Sequence, residues 1–254
     1  MPVHFEARDH LAIITLDRPQ ARNAVNGEIA TGLEAALDRF EADDALWVGI
    51  LRAEGPVFSA GADLKEVSAG NRGALITDRG GFGGIVRRQR IKPLIAAVNG
   101  PALAGGCEIV LACDLAVAAE SARFGLPEVK RSLVATAGGV FRLPRAIGRT
   151  IAMEMILTGE PIDARRAHEL GMINQVVPDA ELMDAALALA GRITVNAPIA
   201  VRESRKIVAA AHSESDEALW AMSQAAVEVM RATEDFKEGP RAFIEKRAPR
   251  WQGR

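Results

Sequence analysis

Apolar residues in the first half of the chain fall into short continuous runs separated by stretches of helical periodicity. The runs are LAIITL (11–16), LWVGILRA (46–53) and PLIAAVN (93–99). Runs of this length with little alternation are the pattern of strands buried on both faces. Between the first two, GEIATGLEAALDRFEAD places Ile29, Leu33, Leu37 and Phe40 at helical spacing. Strand and helix in alternation predict the βα layers of an α/β fold. Residues 68–90, SAGNRGALITDRGGFGGIVRRQR, interrupt the pattern with six glycines and mixed charge. That composition predicts a mobile segment beside something more ordered, a candidate lid.

The second half changes character. Helical patterns cover Ile151–Leu157 and Ala164–Leu170, the latter stopped by Gly171 as a C-terminal cap, and INQVVP then reads as a short strand. From Asp179 onward the chain is almost wholly helical in pattern, through AELMDAALALAGRI, IAVRESRKIVAAAH, DEALWAMSQAAVEVMRA and EDFKEGPRAFIEKR. A soft boundary near Ala197–Pro198 divides a core, 1–197, from a helical region, 198–254. Helices this apolar need a surface to cover, either the chain's own core or a neighbouring subunit.

Composition narrows the classes. The 254 residues are 49% hydrophobic and 25% charged, values of an ordinary folded domain, and no 18-residue uncharged apolar run predicts a membrane span. A net charge of −2 without a block of five like charges gives no footprint for nucleic acid. Cys107 and Cys113, six apart, would lie on different faces of a helix and read as two buried thiols. The first residues lack a basic region and a small-residue cleavage site, so a reducing cytoplasm is expected.

Most short chemical signatures are missing. There is no phosphate-binding Gly-x-x-x-x-Gly-Lys-Ser/Thr, and Val86 stands where GGFGG would need the third glycine of a dinucleotide fingerprint. His-Glu-x-x-His, Cys-x-x-Cys and Gly-x-Ser-x-Gly do not occur, and His4, His10, His168 and His212 are scattered, so neither a metal site nor that type of serine hydrolase is expected. What remains is glycines and carboxylates. In NGPALAGGCEIVLACD a turn leads into a helix beginning near Gly105, whose first N–H groups lack intrahelical partners and suit a polarised oxygen. A second glycine turn, in VFSAGADLKEV, could supply another donor and complete an oxyanion hole, although both turns also fit ordinary strand-turn-helix junctions. Glu108 lies in the first turn of its helix, where the dipole alone favours an acid, and Glu128 follows Pro127 in an apolar surround. Carboxylates in such settings invite proton transfer, though sequence does not place the two together.

FSAGADLKE, KPLIAAVNGPALAGGCEIVLACDLAVAAESARFGLPEV, LTGEPIDARRAHELGMINQVV and EGPRAFIEKR together resemble the enoyl-CoA hydratase/isomerase, or crotonase, superfamily, end to end and in order. The resemblance implies an α/β spiral of ββα turns with C-terminal helices that pack in trimers or dimers of trimers. It implies an acyl-CoA substrate, with coenzyme A arriving as part of it and no separate cofactor. By the same resemblance Ala62 and Gly105 match the two oxyanion-hole amides. Ala60 and the stretch Ala62, Asp63, Leu64 and Lys65 match the lining of CoA, and Arg22 a position near its nucleotide end.

Glu108 and Glu128 match the glutamate pair of the superfamily's hydratases, the first activating water and the second exchanging the α-carbon proton. Isomerases commonly keep only the second, so the pair implies an enoyl-CoA hydratase. After Glu128 the hydratase pattern usually continues as PGAGGTQRL. Here ATAGGVFRL puts Ala135 for the proline and Thr136 for a glycine whose N–H helps hold the water. GGVFRLP and the GGF loop are similar to carnitinyl-CoA dehydratase-like members, an alternative alongside an isomerase. An RNA-associated branch of the superfamily uses a lysine-rich helix, whereas EAALDRFEADD is acidic, and the two retained glutamates argue against an idle scaffold.

Overall fold

The computed structural model describes residues 2–254. Its strands are β1 (Val3–Arg8), β2 (Leu11–Leu16), β3 (Val48–Ala53), β4 (Ile76–Thr77), β5 (Gly81–Phe82), β6 (Leu94–Val98), β7 (Ala102–Leu103), β8 (Leu115–Ala119), β9 (Arg123–Gly125), β10 (Ile162–Asp163) and β11 (Gln175–Val177). The helices are α1 (Gly27–Ala42), α2 (Leu64–Ser68), α3 (Gly105–Ala112), α4 (Gly139–Ile147), α5 (Arg149–Thr158), α6 (Ala164–Glu169), α7 (Leu182–Thr194), α8 (Pro198–Ala210), α9 (Asp216–Arg231) and α10 (Glu234–Ile244).

A six-stranded sheet runs in the order β1-β2-β3-β6-β8-β11, and every pairing but the first is parallel. Successive side chains of its central strands point to opposite faces, and both faces are covered. Ile14, Leu16, Leu51, Leu94, Ala96 and Val98 pack with Ile29, Leu33, Leu37 and Phe40 of α1. Val48, Ile50, Ile95, Ala97, Val117 and Ala119 pack with Leu182, Ala186, Leu189 and Ala190 of α7. Two-sided burial is why these strands read as unbroken apolar runs. Asn26 caps α1 by accepting from the Ile29 N–H, and Lys92, fully buried, donates to the Phe40 and Asp43 carbonyls at the other end.

The chain repeats one unit: a strand in the large sheet, a shorter extended segment, then a helix. In successive units the short segments lie at Val25, at Ser59–Ala62, at β7 and at β9. They pair side by side in parallel, Val25 with Ala62, Ser59 with Ala102, and Ala102 with Phe124. This second, smaller layer, closed by β10 against β9, is the spiral of ββα turns. In the first three units the helix starts just beyond the end of the short segment, at one common edge of the small layer; after β9 a 3-10 turn, Pro127–Arg131, takes that place.

The glycine-rich stretch 68–90 departs from the expectation of a mobile lid, because it is fastened to α1. Glu34 accepts from Thr77 Oγ1 (2.7 Å) and the Gly80 N–H (2.9 Å), and Asp38 accepts from Arg79 and Arg88 (2.6 Å each). Leu75, Ile85 and Val86 are buried in the main core. Cys107 is buried in α3 and Cys113 half-buried at its end; both are free thiols.

Beyond α7 the helices bury little of themselves: α9 has no buried residue and α8 only Pro198. Val208, Trp220, Phe243 and Ile244 are at least 72% exposed. The tail is nonetheless tied down, since Asp235 accepts from the Gln252 and Gly253 amides and Trp251 Nε1 donates to the Val195 carbonyl. Among the described residues no single helix is long and apolar enough to cross a membrane.

The ring of Phe40 is fully buried where α1 crosses the sheet. Phe40→Ala is expected to lower the unfolding free energy by about 3–5 kcal/mol in urea denaturation. A loss below about 1 kcal/mol, the scale of an average surface change, would contradict this packing.

Candidate active site

The edge where the short segments end carries the two glycine turns and the first turn of α3 with Glu108, and Glu128 follows the end of β9. Ser59 is held on both sides: its Oγ donates to the Asn23 carbonyl (2.9 Å), and its carbonyl accepts from the Leu103 N–H (3.0 Å). The chain then turns through Gly61, at a φ of 87° that an L side chain rarely adopts. The parallel bridge to Val25 uses the Gly61 carbonyl and the Asp63 N–H, which leaves the intervening Ala62 N–H facing the other way. Asp63 then caps α2 through the Lys65 N–H and pairs with Arg18 at 2.7 Å.

The second turn abuts the first. A Cβ on Gly61 would lie 2.8 Å from the Gly105 nitrogen, one on Gly106 would lie 2.2 Å from the Ser59 carbonyl oxygen, and one on Gly105 would lie 2.5 Å from the Phe82 ring. Side chains at these positions would push the two turns apart. Ala104, which caps α3, is held at φ 52°, ψ −127°, a conformation that costs a non-glycine residue roughly 1–3 kcal/mol. The bonds on both its sides over-determine it: its N–H donates to the Gly125 carbonyl and its carbonyl accepts from the Glu108 N–H. Among the described residues neither the Ala62 nor the Gly105 N–H donates to a protein acceptor. Two free amides on adjacent turns, one of them at a helix N-terminus, suit a single anionic oxygen.

Glu108 lies one turn into α3 and is 3% exposed. Its Oε1 accepts from the Gly139 N–H at 2.8 Å, at the start of α4. Burial pushes its carboxyl up to about 7; the Gly139 amide pulls against this, the Glu128 charge adds to it, and the Ala137 amide and Arg142 oppose it. Glu128 follows the end of β9 on a short 3-10 turn, Pro127–Arg131. It is half-buried, burial raises its carboxyl too, and its Oε2 is buried without a partner among the described residues. Burial above all holds the Cys107 thiol protonated, and the charges of Glu108 and Glu128 add to that.

Ala60 donates to the Arg22 carbonyl (3.0 Å), so the stretch 60–65 and Arg22 form one strip beside the two amides. Along it Ala60 and Ala62 are half-buried, Asp63 is buried, and Leu64, Lys65 and Arg22 are exposed. Thr136 is exposed, three residues before Gly139, whose amide binds Glu108. The signal for Gly139 was the AGG ahead of a helical pattern, the same glycine-before-helix cue as at Gly105. Phe82 and Arg142 carry no such signal, because nothing in their local pattern ties them to a distant turn.

A family model of enoyl-CoA hydratase/isomerase matches residues 6–254. An enoyl-CoA hydratase of Mycobacterium tuberculosis is 42% identical, with 98% of this chain and 96% of the relative covered. A carnitinyl-CoA dehydratase of Salmonella typhi is 38% identical over 99% of this chain and 98% of its own length. The crystal structure of an enoyl-CoA hydratase from Mycobacterium tuberculosis H37Rv superposes with a TM-score of 0.95 at 45% identity, covering 100% of this chain and 99% of that one. With the family model spanning nearly the whole chain and relatives well above 30% identity matched end to end, this chain belongs to the enoyl-CoA hydratase/isomerase family.

Proposed function

We propose that this chain is an enoyl-CoA hydratase, adding water reversibly across the double bond of a 2-enoyl-CoA thioester. The observation that carries the reading is the meeting of two protonatable glutamates with two unengaged amides at one edge. The thioester oxygen would accept from the Ala62 and Gly105 N–H groups. As water adds to the β-carbon, the π electrons move onto the thioester as an enolate, and these donors stabilise the developing charge. One such donor is worth about 3 kcal/mol in comparable sites.

The protons are divided between the carboxyls. Glu108, oriented by Gly139, takes a proton from the water as its oxygen bonds to the β-carbon. Glu128, which burial keeps towards its acid form, gives its proton to the α-carbon as the enolate collapses. Dehydration reverses both transfers. The strip of Ala60, Asp63, Leu64 and Lys65 with Arg22 would line the CoA portion, coenzyme A entering as part of the substrate with no resident cofactor. The exposed apolar faces of α8, α9 and α10 would be covered by other copies in a trimer or dimer of trimers. Function in the cytoplasm, without a nucleic-acid or membrane partner, belongs to the same reading; the acidic sequence of α1 bears only on the nucleic-acid part of it.

Purified protein is expected to discharge the enone absorbance of a short-chain 2-enoyl-CoA. Glu128→Gln, which cannot supply the proton, should lower kcat by at least about 100-fold; a variant with full activity would overturn the role given to Glu128. Glu108 must be ionised to act as base. Because its folded pKa lies at about 7, kcat/KM for hydration should fall as pH drops below that value. A profile flat down to the ordinary carboxylate range would contradict this assignment. Light scattering should give a mass of three or six chains, and a monomer at micromolar concentration would rule out the subunit packing.

A further inference from the structure

Arg142 lies half-buried in α4, and its guanidinium spans two separate segments. Nη2 donates to the Val86 carbonyl at 2.6 Å and Nη1 to the Ala137 carbonyl at 3.2 Å. Room for this crossing comes from Gly138, at φ 109°, where a Cβ would lie 2.2 Å from Nη1. The loop it crosses is the one that presents Gly139 to Glu108. The segment it reaches carries Phe82: the Ile85 and Val86 amides turn back to the Phe82 carbonyl (3.4 Å each), and the Phe82 ring lies against Gly105. One rigid planar cation thus ties the support of Glu108 to the wall of the oxyanion turn. Lysine, with a point charge and no fork, could not hold both carbonyls in that plane.

We propose that Arg142 is the positioning residue of this site, joining Ala137 to Val86 so that the amide orienting Glu108 and the Phe82 wall beside Gly105 keep one fixed relation. The inference rests on the reading of Glu108 as the base. Arg142 also sits in the field of Glu108. The charged and titratable groups around the pair are Glu128 and Cys107 beside Glu108, and Arg90, Arg145 and Cys113 beside Arg142. Of those cations Arg142 is the one whose charge acts on the Glu108 carboxyl, and it favours the ionised form. Its removal should therefore move the acid limb of the pH profile to higher pH.

The test compares Arg142→Gln and Arg142→Lys with the parent protein on a short-chain 2-enoyl-CoA. Arg142→Gln should lower kcat about 10- to 100-fold, as misplacement of a catalytic group does, with KM changed by no more than about twofold, and should shift the acid limb upward. Arg142→Lys should keep the limb in place while kcat still falls, because the charge remains and the bridge does not. Wild-type kcat and an unmoved limb in Arg142→Gln would overturn the proposal. So would a fall in kcat with no movement of the limb, or loss of the fold in both variants, since either would make Arg142 merely structural. Should the parent protein hydrate no enoyl-CoA, it is the proposed activity that fails. The Arg142 arm is then read from an infrared titration of the Glu108 carboxyl, assigned with Glu108→Gln, where the same upward shift is expected and its absence overturns the proposal.

Discussion

Two turns from different units of the spiral come so close that a methyl group on Gly61 would lie 2.8 Å from the Gly105 nitrogen, and one on Gly106 would lie 2.2 Å from the Ser59 carbonyl. The contact exists because the short segments pair in parallel, Val25 with Ala62 and Ser59 with Ala102, and end at a common edge. Parallel pairing also aims consecutive helices the same way, so that α2, α3 and α4 all start near that edge. The Ala62 and Gly105 amides are what is left over when a segment stops pairing and a helix starts, and the Gly139 amide is an N–H of the first turn of α4 without an intrahelical partner. The cost falls on Ala104, whose backbone is forced into a conformation suited to glycine, and the large sheet buried on both faces is the frame that holds it there.

Around this frame the electrostatics are balanced rather than neutralised. A carboxyl as buried as that of Glu108 resists ionisation, and the Gly139 amide with help from Ala137 and Arg142 opposes that resistance without cancelling it. The outcome, near 7, is where a group can both take and return a proton at neutral pH. Glu128 has burial without comparable support, so its carboxyl also stays raised and one of its oxygens faces no protein partner. Two acids of similar chemistry are thereby given different surroundings, which is how a pair divides acid and base work.

The fold was legible to the extent that it rested on local pattern. LAIITL reads as the strand it is, Leu11–Leu16, and Ile29, Leu33, Leu37 and Phe40 mark the buried face of α1, because burial on a sheet imposes its period on the residues. The glycine pair 105–106 likewise announces a helix start, since only a missing side chain at Gly106 allows the approach of the Ser59 carbonyl. Contacts between distant segments leave no such mark. The glycines of 68–90 suggest mobility, yet Glu34 and Asp38, on a helix some forty residues earlier, fasten the segment. Thr136 is visible in the sequence as a departure from a motif, whereas Gly139, whose amide binds Glu108, conforms to it and gives no such sign. Arg142 is an unremarked basic residue in a helix until the fold brings Val86 beneath it.

The central claim is that Ala62 and Gly105 hold one oxygen while Glu108 and Glu128 serve adjacent carbons of the same acyl group. A crystal structure with a non-reactive acyl-CoA thioester bound tests it most directly. The thioester oxygen is expected within hydrogen-bonding distance, about 2.7–3.1 Å, of both amides. The two carboxyls are expected on the same side of the acyl chain, Glu108 at the β-carbon and Glu128 at the α-carbon. A thioester oxygen bound elsewhere, or an acyl chain passing with the carboxyls on opposite sides, would contradict it.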